Sequence, residues 1–129
     1  MGWKAGVRPD KTKSGIESKR KGEEMTAYVK QKKIIYISGP MEDAENYEKN
    51  FKKAEEDFAE AGYRVVNPAN IDVTGMSRED ILDMDLKLLR ECDAICMLKG
   101  WQQSCGANRE YGFALAEGMD VMFEENEDD

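Results

Sequence analysis

Ala94-Ile95-Cys96-Met97-Leu98, then Gly100-Trp101-Gln102-Gln103-Ser104-Cys105-Gly106-Ala107-Asn108-Arg109-Glu110, then Tyr111-Gly112-Phe113-Ala114-Leu115-Ala116-Glu117-Gly118: this stretch decides the fold. The unbroken apolar run reads as a buried strand. It enters a Gly/Ser-rich turn and then a helix whose first turns carry a carboxylate. Such a junction gathers free backbone N–H groups, a hydroxyl and Glu110 around one spot. A phosphorylated or sugar-bearing ligand fits there, with the carboxylate aimed at its reacting carbon.

The same grammar recurs outward from this unit. Ile34-Ile35-Tyr36-Ile37, stopped by Ser38-Gly39-Pro40, reads as a buried strand. Tyr47, Phe51, Ala54, Phe58 and Ala61 then recur at helical spacing, with Gly62 as the expected stop. Tyr63-Arg64-Val65-Val66 is a second strand, closed by Asn67-Pro68. Ser77, with Asp80 three residues on, opens a helix to about Cys92. Val121-Met122-Phe123 follows the last helix as a further strand. Strict alternation predicts an α/β fold: a flavodoxin-like (Rossmann-like) three-layer sandwich on a parallel sheet of four to five strands, order 2-1-3-4. Ligands in such sheets sit beyond the strand C-ends where the order reverses. That rule brings the loop after Tyr36–Gly39 together with the loop after Leu98–Trp101.

Composition bounds the function. The 129-residue chain is 40% hydrophobic and 36% charged, ordinary for one soluble domain. No apolar run approaches the ~20 residues of a membrane span, and the first residues lack the apolar segment expected of a signal peptide. Cys92, Cys96 and Cys105 lack zinc-type pairing and suit the reduced thiols of a cytoplasm. Histidine is absent, so catalysis would rest on carboxylates, tyrosines or cysteines. The net charge of −8 divides into +6 over residues 1–33 and −14 over the remainder. The acidic body argues against nucleic-acid binding. Residues 1–32 read as a basic, mostly disordered leader with a short helix near Met25–Val29; residues 33–123 as the domain; residues 124–129 as an acidic tail.

Each candidate residue admits a plain reading beside a functional one. Glu110 is either a helix-dipole partner or a nucleophile. Asp85, flanked by Ile81, Leu88 and Leu89, is either a rim charge or a working acid. Ser104 is an N-cap or a phosphate ligand. Tyr36 is a strand aromatic or a catalytic hydroxyl. Trp101 is a packing residue or a platform for a nucleobase. Ser38-Gly39-Pro40 lacks both the GxGxxG spacing and the Walker lysine, so neither a dinucleotide loop nor an NTP loop is indicated. Cys105 has no histidine to activate it.

Taken together, Ile35-Tyr36-Ile37-Ser38-Gly39-Pro40-Met41, Gly62-Tyr63-Arg64-Val65-Val66-Asn67-Pro68-Ala69, Asp85-Leu86, Cys92-Asp93-Ala94 and Gly100-Trp101 through Ser104-Cys105-Gly106-Ala107 to Glu110 form a pattern. It resembles the nucleoside 2-deoxyribosyltransferase-like superfamily, and within it the DUF4406 branch frequent in phages and bacteria. The resemblance spans about residues 33–123. It implies that Glu110 attacks C1′ of a deoxyribonucleoside to form a covalent glycosyl-enzyme. Tyr36 would orient that carboxylate, and Asp85 would protonate the departing base. Ser38, Gly39 and Ser104 would line the 5′ side of the pocket. Pro40, Met41, Asn67, Gly100, Trp101 and Gly106 complete the expected substrate shell.

The nucleoside transferases of that superfamily carry an acidic residue at position 104, whereas its deoxynucleoside 5′-monophosphate hydrolases carry Ser. Ser104 therefore points to a phosphorylated substrate. The resemblance also implies a homo-oligomer without a metal or other cofactor. Relatives extend past the last strand and complete a neighbour's pocket, whereas this sequence runs into the acidic segment 124–129. A non-catalytic protein holding a nucleotide or an ADP-ribose-type ligand is the alternative.

Overall fold

The computed structural model describes residues 2–6, 32–41 and 46–125. The expected helix near Met25–Val29 lies outside them, as do most of the leader and residues 126–129. The elements in order are β1 (Trp3–Ala5), β2 (Ile34–Ser38), α1 (Tyr47–Glu60), β3 (Arg64–Val66), α2 (Arg78–Arg90), β4 (Ala94–Met97), α3 (Cys105–Glu117) and β5 (Asp120–Glu124). Short 3₁₀ turns at Pro68–Asn70 and Trp101–Gln103 follow β3 and β4.

The fold is α/β on a five-stranded sheet of order β1-β5-β4-β2-β3. β2 pairs in parallel with β3 and β4, and β4 with β5, whereas β1 runs antiparallel to β5. The sheet is therefore mixed, not wholly parallel, and its order is not that of a four-stranded 2-1-3-4 sheet. The cause is Trp3-Lys4-Ala5, which was assigned to the leader. It pairs Trp3 with Glu124 and Ala5 with Met122, and Trp3 stacks on Phe58 of α1 at 4.8 Å. Three residues give no readable alternation, so this strand is specified by its tertiary partners.

β2 and β4 are buried on both faces, as parallel strands between helical layers must be. Ile35, Ile37, Cys96 and Leu98 pack on Phe51, Ala54 and Phe58 of α1. On the opposite face, Tyr36, Ile95, Met97 and Val121 pack with Leu89 of α2 and with Ala107 and Ala114 of α3. Period-two alternation along β2 thus sends Tyr36 and Ser38 toward α3. Ser77 caps α2, its Oγ accepting from the Asp80 N–H at 3.0 Å. Gly62 (φ 103°) and Gly118 (φ 74°) take the left-handed conformation after α1 and α3, where other residues would be strained.

Connections from β2 leave first to β3 on one side and then, through α2, to β4 on the other. The reversal opens a crevice above the C-ends of β2 and β4. The Leu98 N–H donates to the Ser38 carbonyl at 2.8 Å and holds the two loops together.

Candidate active site

Tyr36 lies at the centre of β2 and is fully buried, and Ser38 follows two residues later on the same face. Both reach Glu110 in the second turn of α3. The Tyr36 hydroxyl donates to Glu110 Oε2 at 2.9 Å, and Ser38 Oγ donates to Oε1 at 2.6 Å. Each carboxylate oxygen therefore has its own donor, one of them at a short, charge-assisted distance. Glu110 is only 6% exposed. That burial pushes its pKa up to about 7, against the opposing pull of the Ser38 and Tyr36 hydrogen bonds. Desolvation wins because two hydroxyls replace only part of the lost hydration.

Asp85, on α2, is 8% exposed, and burial lifts its pKa to about 6. Tyr36 is pushed strongly upward by burial and then by the negative charges of Glu110 and Asp85. It stays a phenol at any working pH and serves as a donor. Asp85 and Glu110 share a cleft of about 450 Å³, within the range of small-molecule sites. Met41, Tyr47, Pro68, Val73, Ile81 and Leu82 supply apolar wall.

Of the expected shell, Tyr36, Ser38, Gly39, Met41, Asp85, Ser104, Gly106 and Glu110 all line this cleft. Ser104 is the N-cap of α3, its Oγ accepting from the Ala107 N–H at 3.2 Å, and it borders the cleft. Ser38 is engaged with Glu110 itself, not free on the 5′ side. Gly39 cannot be larger, since a Cβ there would lie 2.8 Å from Leu98 Cβ.

Four expected residues sit elsewhere. Asn67 is tied into the turn it caps, donating to Glu55 Oε1 at 3.0 Å and accepting from the Ala69 N–H at 2.9 Å; its neighbour Pro68 takes the cleft position. Trp101 packs on Tyr111 and Phe123, with ring centroids 4.7 and 6.1 Å away, which leaves the indole outside the Glu110 cleft. With Gly100 it lines a separate depression of about 690 Å³ bordered by Lys4, Lys99 and Glu124. Pro40 covers Gly100, its Cγ 3.3 Å from where a Cβ would stand.

Sequence reasoning missed Tyr47, Pro68, Val73, Arg78, Ile81 and Leu82 as cleft residues. The stripe 78/81/82/85 at helical spacing carried the signal for three of them. Cys92, Cys96 and Cys105 are all free thiols. Burial pushes Cys92 up to about 12 and Cys96 higher still, so neither supplies a thiolate. Among the described residues, no group of three or more Cys, Asp or Glu could hold a metal ion. Nor is any helix there long and apolar enough to cross a membrane.

The model of a domain of unknown function, DUF4406, matches residues 33–123. The chain belongs to the DUF4406 family. The DUF4406 match begins just before β2 and ends at Phe123 in β5, so every residue lining the Glu110 cleft falls inside it. β1 lies outside it. No curated protein matches the chain.

Proposed function

We propose that this DUF4406 protein cleaves or transfers the N-glycosidic bond of a (deoxy)nucleoside 5′-monophosphate through a covalent Glu110 intermediate. One observation carries the reading: a buried carboxylate, gripped on both oxygens by Tyr36 and Ser38, faces a cleft it shares with a second raised carboxyl, Asp85. Two carboxyls of this kind suit a reaction that passes through an oxocarbenium-like state. The C1′–N bond breaks and its electron pair goes to the base, which takes the Asp85 proton. Glu110 Oε bonds to C1′. Water, or a second base, then attacks C1′ and releases the carboxylate. Tyr36 and Ser38 fix the rotamer of the nucleophile, and the likeness to the nucleoside 2-deoxyribosyltransferase-like superfamily supports these assignments.

Incubation with each deoxynucleoside and its 5′-monophosphate, followed by chromatography for free base, tests the proposal. Release is expected, and Glu110→Ala should abolish it. No release from any of them by the folded wild-type chain, or full activity in Glu110→Ala, would sink it.

A second reading has its own support. Both Glu110 oxygens are satisfied within the protein, and its pKa of about 7 leaves much of it protonated near neutrality. Such a group can serve as a hydrogen-bonding wall for a nucleotide or ADP-ribose-type ligand that is held without turnover. Calorimetric binding with the ligand recovered intact would select this reading.

A further inference from the structure

The cleft contains a charge that the carboxylate chemistry does not use. Arg78 is the first residue of α2 and lines the same cleft as Asp85, seven residues on. Positions 78, 81, 82 and 85 form one stripe of the helix, and all four border the cleft. Glu79 and Asp80, beside Arg78 in sequence, do not line it, and Asp83 pairs with Arg109 at 3.3 Å. Among the described residues, the Arg78 side chain has no hydrogen bond or ion pair.

Its level in the cleft follows from how α2 and α3 pack. A Cβ on Gly106 would lie 3.2 Å from Leu82 Cδ2, and Asp83 meets Arg109. Residue numbers rise together along the two helices, so they run side by side in the same direction. Arg78 is one turn before Leu82 and therefore stands at the Ser104 end, the mouth. Asp85 is about 10 Å further along the axis, given 1.5 Å per residue. An anion entering at the mouth meets the Arg78 guanidinium first, with the Asp85 carboxyl deeper in the cleft.

We infer that Arg78 is a specificity-determining residue that binds the phosphate of the substrate at the cleft mouth and selects phosphorylated over unphosphorylated ligands. This rests on the glycosidic reading above and adds to it the group that reads the phosphate. A planar guanidinium offers two parallel donors to a phosphate monoester, and the Ser104 hydroxyl lies at the same end of the cleft. A neutral nucleoside leaves the guanidinium in water and gains nothing from it.

The experiment compares a deoxynucleoside 5′-monophosphate with the same deoxynucleoside, in wild type, Arg78→Ala and Arg78→Lys. Arg78 is exposed, and circular dichroism checks that the variants are native. Loss of a charge-assisted contact predicts a KM for the monophosphate that rises ~10- to 100-fold in Arg78→Ala, with kcat changed little. Values for the unphosphorylated nucleoside should stay within about twofold, and Arg78→Lys should fall between. A wild type that ignores the phosphate, or an Arg78→Ala variant that keeps the full preference, would overturn the assignment and leave the glycosidic reading standing. Should wild type release base from neither compound, the glycosidic reading fails. Calorimetric affinities of the same two ligands for wild type and Arg78→Ala then judge Arg78 separately. A wild-type preference lost in the variant upholds it, and any other pattern overturns it.

Discussion

Glu110→Gln is expected to make the protein more stable at alkaline pH while removing its proposed chemistry. Burial lifts the Glu110 carboxyl from 4.5 to about 7. Across that window the folded chain holds a proton that the unfolded chain has released, so stability falls as pH rises. The stabilisation is complete below 4.5 and lost once the pH passes about 7. A gap of about two and a half pH units, at 1.36 kcal/mol each, amounts to ~3 kcal/mol. Gln keeps the shape of the protonated acid and never ionises, so it escapes this loss. Urea unfolding followed by circular dichroism at pH 4, 6 and 8 should find the variant equal to wild type at pH 4. At pH 8 its midpoint should lie about 1–3 M urea higher, for a slope typical of small domains. An equal difference at pH 4 and pH 8, or a less stable variant at pH 8, would show that Glu110 does not carry a desolvated charge and would refute the reasoning. The Asp85 carboxyl, raised from 3.8 to about 6, acts in the same direction in both proteins, and loss of the neighbouring Glu110 charge eases its ionisation and adds to the variant's advantage at pH 8.

Base release should follow a bell-shaped pH profile centred between about 6 and 7, because Glu110 must be ionised and Asp85 protonated. The proton prefers Glu110, so the productive form is the minor tautomer, on the order of one tenth of the singly protonated pair. Asp85→Asn should lower kcat/KM by ~10²–10⁴ and remove the alkaline limb, read by the same chromatographic assay. Gly39→Ala drives its new methyl against Leu98 and should destabilise the fold by ~1–3 kcal/mol in urea titration. Trp3→Ala removes the stack on Phe58 and should lose about 2 kcal/mol by the same titration, less than a fully buried aromatic because Trp3 is half-buried.

The parallel strands and three helices were readable because each has its own period and its own punctuation. Ser77, Gly62 and Gly118 mark ends that the backbone observes. The meeting of Tyr36, Ser38 and Glu110 follows from the strand face, which the alternation along β2 shows in the sequence, and from the strand order, which the structure supplies. Trp101 was misplaced because a loop aromatic carries no periodicity, and its direction is set by Tyr111 and Phe123. Asn67 was misplaced for a related reason. Its side chain is spent on the adjacent turn, a local bond that sequence alone does not separate from ligand contact. Arg78 was passed over because a cation in the first turn of a helix reads as an ordinary surface residue until the helix has a neighbour.

The antiparallel strand Trp3–Ala5 has a practical consequence. It covers one flank of β5, whose backbone groups would otherwise be open to any extended chain that came by. A protein trimmed to the family boundary at residue 33 would retain every residue around Glu110 yet present that bare flank and a Phe58 ring stripped of its Trp3 contact. Such a fragment is prone to self-association through strand addition, and insolubility in it would reflect a lost edge guard, not a defective catalytic centre.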